Sequence, residues 1–350
     1  LKLKQRQKPL PVAEGRCRLP AMSTPTPLTI LDPDEALQRL QALPRPWAGD
    51  YLVMYSSWLG GIVREPWLMS VPIDDHLVHR GDGVFEAMKC VDGRIYQLDA
   101  HLERLARSAQ SIHLELPLDL GALRRMIIET TLAGGERDVM VRLYVSRGPG
   151  GFSTNPFECP RAGLYIVVSR LHAPAAESYQ RGVRAGISLV PSKSGFYASV
   201  KSCNYLPNVL LKREAVVKGW DFAVGLDESG HLSEGSTENV GLVDANNRLL
   251  LPLPDHILEG TTVRRVVELA GALVTSGLIS AIEHRPLERA DLNQAREMML
   301  FGTTLDVLPI TRLGGEPVGE GRPGPVAAAL LGLVRQDIAT SSAVSVPVFA

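Results

Sequence analysis

A lysine amine acts as a nucleophile near neutral pH only where its surroundings disfavour the ammonium form. Lys201 stands at such a place. The apolar-leaning run Phe196 to Val200 reads as a strand, Lys201 lies at its mouth, and a polar turn leads to a helical pattern from about Asn208 to Lys218. The chemistry this suits is Schiff-base formation with a carbonyl. Most strand-end lysines are solvated surface charges, so the rest of the chain has to decide the matter. Arg142 falls inside the otherwise apolar strand Val139 to Gly148, where a guanidinium must pair internally or point into a pocket. Arg104 sits one turn into a helix beside its apolar stripe, a position that usually means a solvated arginine. Glu234, in Leu-Ser-Glu-Gly, reads by itself as a capping or loop glutamate at a strand end. Glu259-Gly260-Thr261-Thr262 opens a helix, where glycine lets the backbone approach a ligand and the N-terminus favours an anion. Gly302-Thr303-Thr304, after the strand Met298 to Phe301, offers a second cradle of the same kind.

The elements that must hold these residues follow from capping and periodicity. Asp32-Pro33 starts a short helix over 32–43, which Pro44 and Pro46 end. Tyr51 to Tyr55 and Gly60 to Val63 read as strands. Gly81-Asp82-Gly83 turns the chain into a strand of alternating side chains containing Phe85 and Glu86, and Asp92-Gly93 makes a hairpin to the next strand. A helix starts at an Asp99 cap, with Leu102, Leu105, Ala109 and Ile112 on one stripe. Leu120 to Ala133 forms a further helix, and Leu164 to Ser169 a buried strand. Residues 171–182 shift to alanine and polar residues and read as an interdomain linker. Beyond it come strands 183–189, 196–201, 221–226, 239–243, 248–251, 281–284 and 297–301, with helices 207–218 and 261–276. This divides the chain into an N-terminal extension with its short helix (1–50), a small α+β domain (51–170), a larger domain (183–335) and a C-terminal tail (336–350).

At 350 residues the chain is long enough for two cores, and 45% apolar against 21% charged residues is ordinary for a globular protein. Lys+Arg 37 against Asp+Glu 38 leaves a net charge of -1, so no basic field draws nucleic acid or an anionic membrane. Cys17, Cys90, Cys159 and Cys203 form no C-x-x-C and no framework spacing. They read as free thiols in a reducing cytosol, which points to a cytoplasmic protein without a metal centre. No apolar run reaches membrane-spanning length. The first 21 residues carry Lys2, Lys4, Arg6, Lys8, Arg16 and Arg18 against Glu14, and Met22-Ser23-Thr24 reads as a natural start. With no apolar h-region and no serine, the stretch reads as an upstream extension without a role in the fold, not as a targeting leader.

Lys201-Ser-Cys-Asn-Tyr205-Leu-Pro-Asn, then Leu-Ser-Glu234-Gly-Ser-Thr-Glu238-Asn239, then Leu-Glu-Gly260-Thr261-Thr262 form an ordered set of separated motifs. Together they resemble the class IV aminotransferases, pyridoxal 5'-phosphate (PLP) enzymes that include branched-chain and D-amino-acid aminotransferases and aminodeoxychorismate lyase. The resemblance runs from about Tyr55 to Leu330. It implies the α/β (α+β) architecture of fold type IV: a small N-terminal α+β domain, a larger C-terminal α/β pseudo-barrel, PLP between them and a homodimer. It also implies the site. Lys201 would form the internal aldimine and shuttle protons. Glu234 would pair with the pyridine nitrogen, and Tyr205 would donate to the cofactor's phenolic oxygen. Arg104, in His101-Leu-Glu-Arg104-Leu, would reach the phosphate with Gly260, Thr261, Thr262 and Thr303. Glu238 and Asn239 would stand on the cofactor side. Phe85, Glu86, Arg142 and Thr304 would face the substrate, with Arg142 near its carboxylate.

The wording divides over which member is meant. Lys201-Ser-Cys-Asn and Gly-Asp-Gly-Val-Phe-Glu resemble D-amino-acid aminotransferases, but Gly-Pro-Gly-Gly-Phe152-Ser-Thr stands where those enzymes commonly carry Arg-x-His. Arg142 and Glu234-Gly-Ser-Thr-Glu238-Asn239 are similar to branched-chain enzymes. Ser146-Arg147-Gly148-Pro-Gly-Gly151 resembles the lyase, which typically has threonines in place of Glu86-Ala87. The leading expectation is ping-pong transfer, alternating aldimine and ketimine, from a branched-chain L- or D-amino acid to a 2-oxo acid such as 2-oxoglutarate. The alternatives are release of pyruvate from 4-amino-4-deoxychorismate and a non-catalytic protein of the same fold. A degenerate copy would be expected to have lost Lys201, Glu234, Arg104 or a phosphate loop.

Overall fold

The computed structural model describes residues 28–193 and 195–349, so the basic stretch before Met22, that methionine and Cys17 lie outside the described residues. The chain separates into two compact units, Leu1–Gly49 and Asp50–Ala350. Helix α1 (Pro33–Ala42) belongs to the first. It begins as its sequence requires, with Asp32 accepting from the Glu35 N–H at 2.8 Å and proline in the first turn.

In the second unit, β1 (Tyr51–Ser56), β2 (Gly61–Val63), α2 (His76–Arg80), β3 (Gly83–Val91), β4 (Arg94–Tyr96), α3 (Leu98–Ser111), α4 (Leu120–Gly134), β5 (Val139–Ser146) and β6 (Gly163–Arg170) come first. Then follow α5 (Ala176–Arg181), β7 (Val183–Ile187), α6 (Phe196–Ser199), α7 (Leu206–Lys218), β8 (Phe222–Leu226), β9 (Leu232–Gly235), β10 (Asn239–Val243) and β11 (Arg248–Leu251). The chain ends through α8 (Thr261–Thr275), β12 (Ala281–His284), α9 (Arg289–Gln294), β13 (Glu297–Gly302), β14 (Asp306–Leu313), β15 (Glu316–Pro317), α10 (Pro325–Thr340) and β16 (Ser345–Pro347). A seven-stranded antiparallel sheet runs β16-β4-β3-β5-β6-β1-β2. A nine-stranded mixed sheet runs β12-β11-β10-β13-β14-β7-β8-β9, with β15 beside β14.

Strand alternation decides what each sheet face does. On β3 and β5, Val84, Met88, Val141, Leu143 and Val145 point into the core under α3 and α4, with Leu102, Leu105, Leu123 and Ile127. The residues between them point the other way. In the second sheet, Val243, Leu249, Met299 and Val307 pack on Val263 and Val266 of α8 and Leu330 and Val334 of α10. Its other face buries Val183, Val224, Leu242, Leu300 and Leu308. Each such side chain, fully removed from water, contributes about 1.5–3 kcal/mol before entropy is subtracted.

Several sequence expectations are corrected. Residues 196–201 are not a strand: Phe196–Ser199 make one helical turn, entered through Gly195 at φ 52, and only Lys201–Cys203 join the sheet. They pair with the edge of β3 through the Phe85 N–H to Lys201 O (3.0 Å) and the Cys203 N–H to Gly83 O (2.9 Å). Helix α3 begins two residues earlier than an Asp99 cap would have it; its N-cap is Gln97 at φ 55, and Asp99 lies in the first turn. Gly302-Thr303-Thr304 opens no helix but forms the turn joining β13 to β14. Residues 171–182 contain α5, and residues 336–350 hold the end of α10 and then β16, whose Val346 pairs with Ile95 of β4; neither observation bears on the domain division.

Candidate active site

A cavity of about 440 Å³ lies between the two sheets of the second unit. Its first wall is the outward face of β3 and β5, with Phe85, Ala87, Met140, Arg142 and Tyr144. Phe85 and Tyr144 stack at 5.7 Å between centroids, a cross-strand pair set by the register. Opposite Ala87, Arg142 donates to the Ser169 hydroxyl at 2.9 Å and lines the cavity, so it has a pocket and a partner together.

Lys201 enters from the segment hydrogen-bonded to the β3 edge. Its Nζ lies 4.6 Å from the centre of the Phe85 ring and 3.4 Å from the Tyr205 hydroxyl, which it meets from below the first turn of α7. Burial, reinforced by the Arg104 charge, lowers the Lys201 amine to about 8 despite the carboxylates of Glu86 and Glu234. At pH 7.5 roughly a quarter of such amines are free, against about one in a thousand for an ordinary lysine. Burial also holds the Tyr205 phenol above its ordinary value, so it stays a donor at neutral pH.

Glu234, on β9, faces the same cavity. It accepts from the Leu258 N–H at 3.1 Å, and enclosure raises its carboxyl to about 7 in spite of Lys193 and Lys201 nearby. A carboxyl poised in this way suits a cationic or protonated nitrogen brought into the cavity.

The cavity's third corner is an anion cradle. Helix α8 starts at Gly260, and Thr261 and Thr262 occupy its first turn, where backbone N–H groups have no partner within the helix. Asn239 shapes the entry: its amide oxygen accepts from the Gly260 N–H at 3.0 Å and its nitrogen donates to Leu258 O at 2.8 Å. A Cβ at residue 260 would overlap that amide oxygen, so the close approach requires glycine. Arg104 of α3 donates to Glu259 O at 3.2 Å and faces the cavity beside this helix start. Thr303 and Thr304 line the cavity from the β13–β14 turn, and Glu238 does so while accepting from the Thr237 N–H at 3.0 Å.

Glu86 is the exception, and its expected substrate-facing place is corrected. Alternation along β3 turns it to the α3 side, fully buried, where it accepts from Arg104 Nε at 2.8 Å and Nη2 at 2.7 Å. Burial alone would raise this carboxyl, but Arg104 and His101 outweigh it and hold it far below the carboxylate range. His101, kept neutral by burial, has Nδ1 at 2.7 Å from Glu86 Oε2 and Nε2 at 3.2 Å from the Thr261 hydroxyl. The geometry fits one tautomer: Nδ1–H donates to the carboxylate and Nε2 accepts from Thr261. A buried chain Arg104–Glu86–His101–Thr261 therefore ties α3, β3 and the start of α8 together. His101, Ala87, Met140 and Tyr144 carried no role in the sequence reading. Counting in twos from Arg142 along β5 would have found Met140 and Tyr144; His101 opens the His101-Leu-Glu-Arg104-Leu motif, but nothing local marks its contacts with Glu86 and Thr261.

The description amino-transferase class IV matches residues 83–313. A chloroplastic D-amino-acid transaminase of Arabidopsis thaliana is 37% identical over 289 residues, 82% of this chain and 77% of that protein. A putative branched-chain-amino-acid aminotransferase of Methanocaldococcus jannaschii is 30% identical over 260 residues, 74% of this chain and 88% of its own length. Among solved structures, a T.th. branched-chain amino acid aminotransferase with pyridoxamine 5'-phosphate superposes with a TM-score of 0.78 at 25% identity, covering 85% of this chain and 99% of that one. The two-sheet architecture is thus that of fold-type IV enzymes, and the chain belongs to the class IV aminotransferases.

Proposed function

We propose that the chain is a PLP-dependent aminotransferase that passes the amino group of a D-amino acid to a 2-oxo acid such as 2-oxoglutarate in a ping-pong exchange. One observation carries the reading: a lysine amine lowered to about 8 stands in a cavity between a poised carboxyl, Glu234, and an anion cradle at the start of α8. This donor set fits PLP, since the three features answer to an aldehyde, a ring nitrogen and a phosphate. When bound, PLP supplies the aldehyde that condenses with an amine and a protonated ring that accepts the electron pair released at the substrate Cα.

The chain's residues do the rest. Lys201 would anchor the cofactor and, when free, its amine would carry the proton from the substrate Cα to the cofactor C4′. Glu234 would lie beside the ring nitrogen, where its carboxylate form would keep that nitrogen protonated. Arg104, oriented by Glu86, would hold the phosphate with Thr261, Thr262 and Thr303, while Tyr205 would donate to the ring oxygen. Asn239 and Glu238 hold the backbone on the cofactor side. Arg142, steadied by Ser169, meets a substrate carboxylate; Thr304 borders the same space, and the Phe85 and Tyr144 rings exclude water from it. The D-amino-acid donor is supported by the likeness to the Arabidopsis enzyme. A branched-chain L-amino acid is the second reading, favoured by the apolar wall of Ala87, Met140 and Tyr144 around Arg142.

The test is an absorbance spectrum of the purified protein with added PLP, followed by D-alanine, L-leucine and L-glutamate in turn. The expected result is a near-ultraviolet to visible band that Lys201→Ala removes and that D-alanine converts to the pyridoxamine form. Conversion by L-leucine instead selects the second reading. No band at all overturns the proposal, and pyruvate release from aminodeoxychorismate without conversion by any amino acid replaces transamination with lyase chemistry. A homodimer is part of the proposal, supported by apolar side chains left exposed at Trp58, Leu59, Phe152 and Phe157. Sedimentation should give twice the chain mass; an active protein of single-chain mass excludes it.

A further inference from the structure

Lys193 lies in the loop between β7 and α6, half-buried, and none of the chemistry above uses it. Its ammonium stands 4.5 Å from the centre of the Tyr205 ring. Among the described residues no carboxylate comes within 4 Å of it, so it forms no ion pair there. The groups that act on it electrostatically are Glu234 on β9 and the Cys203 thiol, two residues after Lys201. Partly desolvating an ammonium without an ion pair costs free energy, and a lysine stem is long enough to turn outward. An attraction within the site has to offset that cost.

We propose that Lys193 is a positioning residue of this site, its ammonium seating the Tyr205 ring whose hydroxyl meets the Lys201 amine. The reading rests on the aminotransferase function above. Its geometric part is a short row of cations and rings. Lys193 lies over Tyr205, Tyr205 meets Phe85 edge-on at 5.0 Å, and Phe85 in turn lies 4.6 Å from the Lys201 amine. Withdrawing Lys193 frees one side of the ring whose hydroxyl touches Lys201. Its electrostatic part has a definite sign. Burial raises the Glu234 carboxyl; the Leu258 N–H, Lys193 and Lys201 oppose that, and Glu238 adds to it. Loss of the Lys193 charge therefore leaves Glu234 protonated to higher pH.

The experiment compares wild type, Lys193→Met and Lys193→Arg as apoproteins. The protonated-carboxyl infrared band of Glu234, identified by its loss in Glu234→Gln, is followed against pH. In Lys193→Met the midpoint should rise by about half a pH unit or more, and Lys193→Arg should restore it. PLP affinity should fall several-fold in the methionine variant and recover in the arginine variant. Lys193→Gln serves in place of methionine should that variant fail to fold. Unchanged PLP affinity in Lys193→Met, or arginine behaving like methionine, overturns the proposal. The carboxyl titration needs no cofactor, so a wild-type chain that takes no PLP on Lys201 defeats the aminotransferase reading separately.

Discussion

Burial lowers the Lys201 amine to about 8, against an ordinary value of about 10.4, and the folded apoprotein bears the difference. The sign is fixed by which state releases its proton first. Below about pH 8 both states are protonated and the folded one carries the whole penalty, on the order of 3 kcal/mol. Between about pH 8 and 10.4 the folded state is already neutral, the unfolded state still binds a proton, and stability rises with pH. Lys201→Met should therefore stabilise the apoprotein by about 1–3 kcal/mol at pH 7 and by little at pH 10, while abolishing the covalent PLP adduct. Denaturant unfolding at the two pH values checks the first statement and borohydride reduction with mass analysis the second. Glu86 makes the opposite case. It touches no cavity, yet Glu86→Gln leaves Arg104 buried without its bidentate partner, which should cost about 3–5 kcal/mol. Its PLP affinity should fall with the loss of Arg104 alignment, as read by urea unfolding and a PLP titration. A variant as stable as wild type would show that Arg104 has another anchor.

At the level of elements, the start of α8 is held by a small number of contacts that a single methyl group can disturb. Gly260→Ala places a Cβ against the Asn239 amide oxygen that accepts the Gly260 N–H. The helix itself has a 15-residue body packed through Val263, Val266 and Ala270, so its stability is expected to change by about 1–2 kcal/mol at most. The anion cradle is expected to open, and PLP should bind at least tenfold more weakly in an equilibrium titration. Affinity equal to wild type would place the phosphate elsewhere, at Thr303 and the β13–β14 turn. That turn has its own support. Asp306, at φ 57, pairs with the buried Lys89 of β3, so the two sheets are pinned together directly beside Thr304.

Across the second unit, the last residues return to the first sheet. Strand β16 pairs with β4 through Ser345–Tyr96, Val346–Ile95 and Pro347–Arg94, and Val346 and Val348 are buried in the core beneath α3. Tyr96, next to that pairing, donates to Asp337 of α10 at 2.7 Å, and Asp337 also accepts from Arg265 of α8 at 2.6 Å. Removing residues 344–350 exposes the β4 edge and opens this joint, so thermal unfolding should move down by several degrees and the protein should aggregate more readily. Light scattering during a thermal ramp measures both; an unchanged midpoint would mean that β16 adds nothing to the sheet.

Much of this was legible in the residues themselves. Capping, turn and periodicity signals located α1, the Asp92-Gly93 hairpin, α4, α7, α8 and the strands that carry Phe85 and Arg142, because those signals act over a few residues; β9, which carries Glu234, is not among the expected strands. The ordered motifs around Lys201, Glu234 and Gly260 identified the family and brought together residues that do meet at one cavity. What local signals could not decide was direction and partnership. Phe85 and Glu86 are neighbours in the chain, but the pleat sends one to the cavity and the other to a buried ion pair beneath it. Phe196 to Val200 has strand composition, yet it coils into a helical turn, and only the residues after it hydrogen-bond to β3. The role of His101 exists only because α3, β3 and α8 converge, and Lys193 gains its ring and its carboxylate from α7 and β9. Side-chain type and spacing are properties of the chain; which face is buried, which edge is free and which charge lies near are set by long-range packing, and only the tertiary structure contains them.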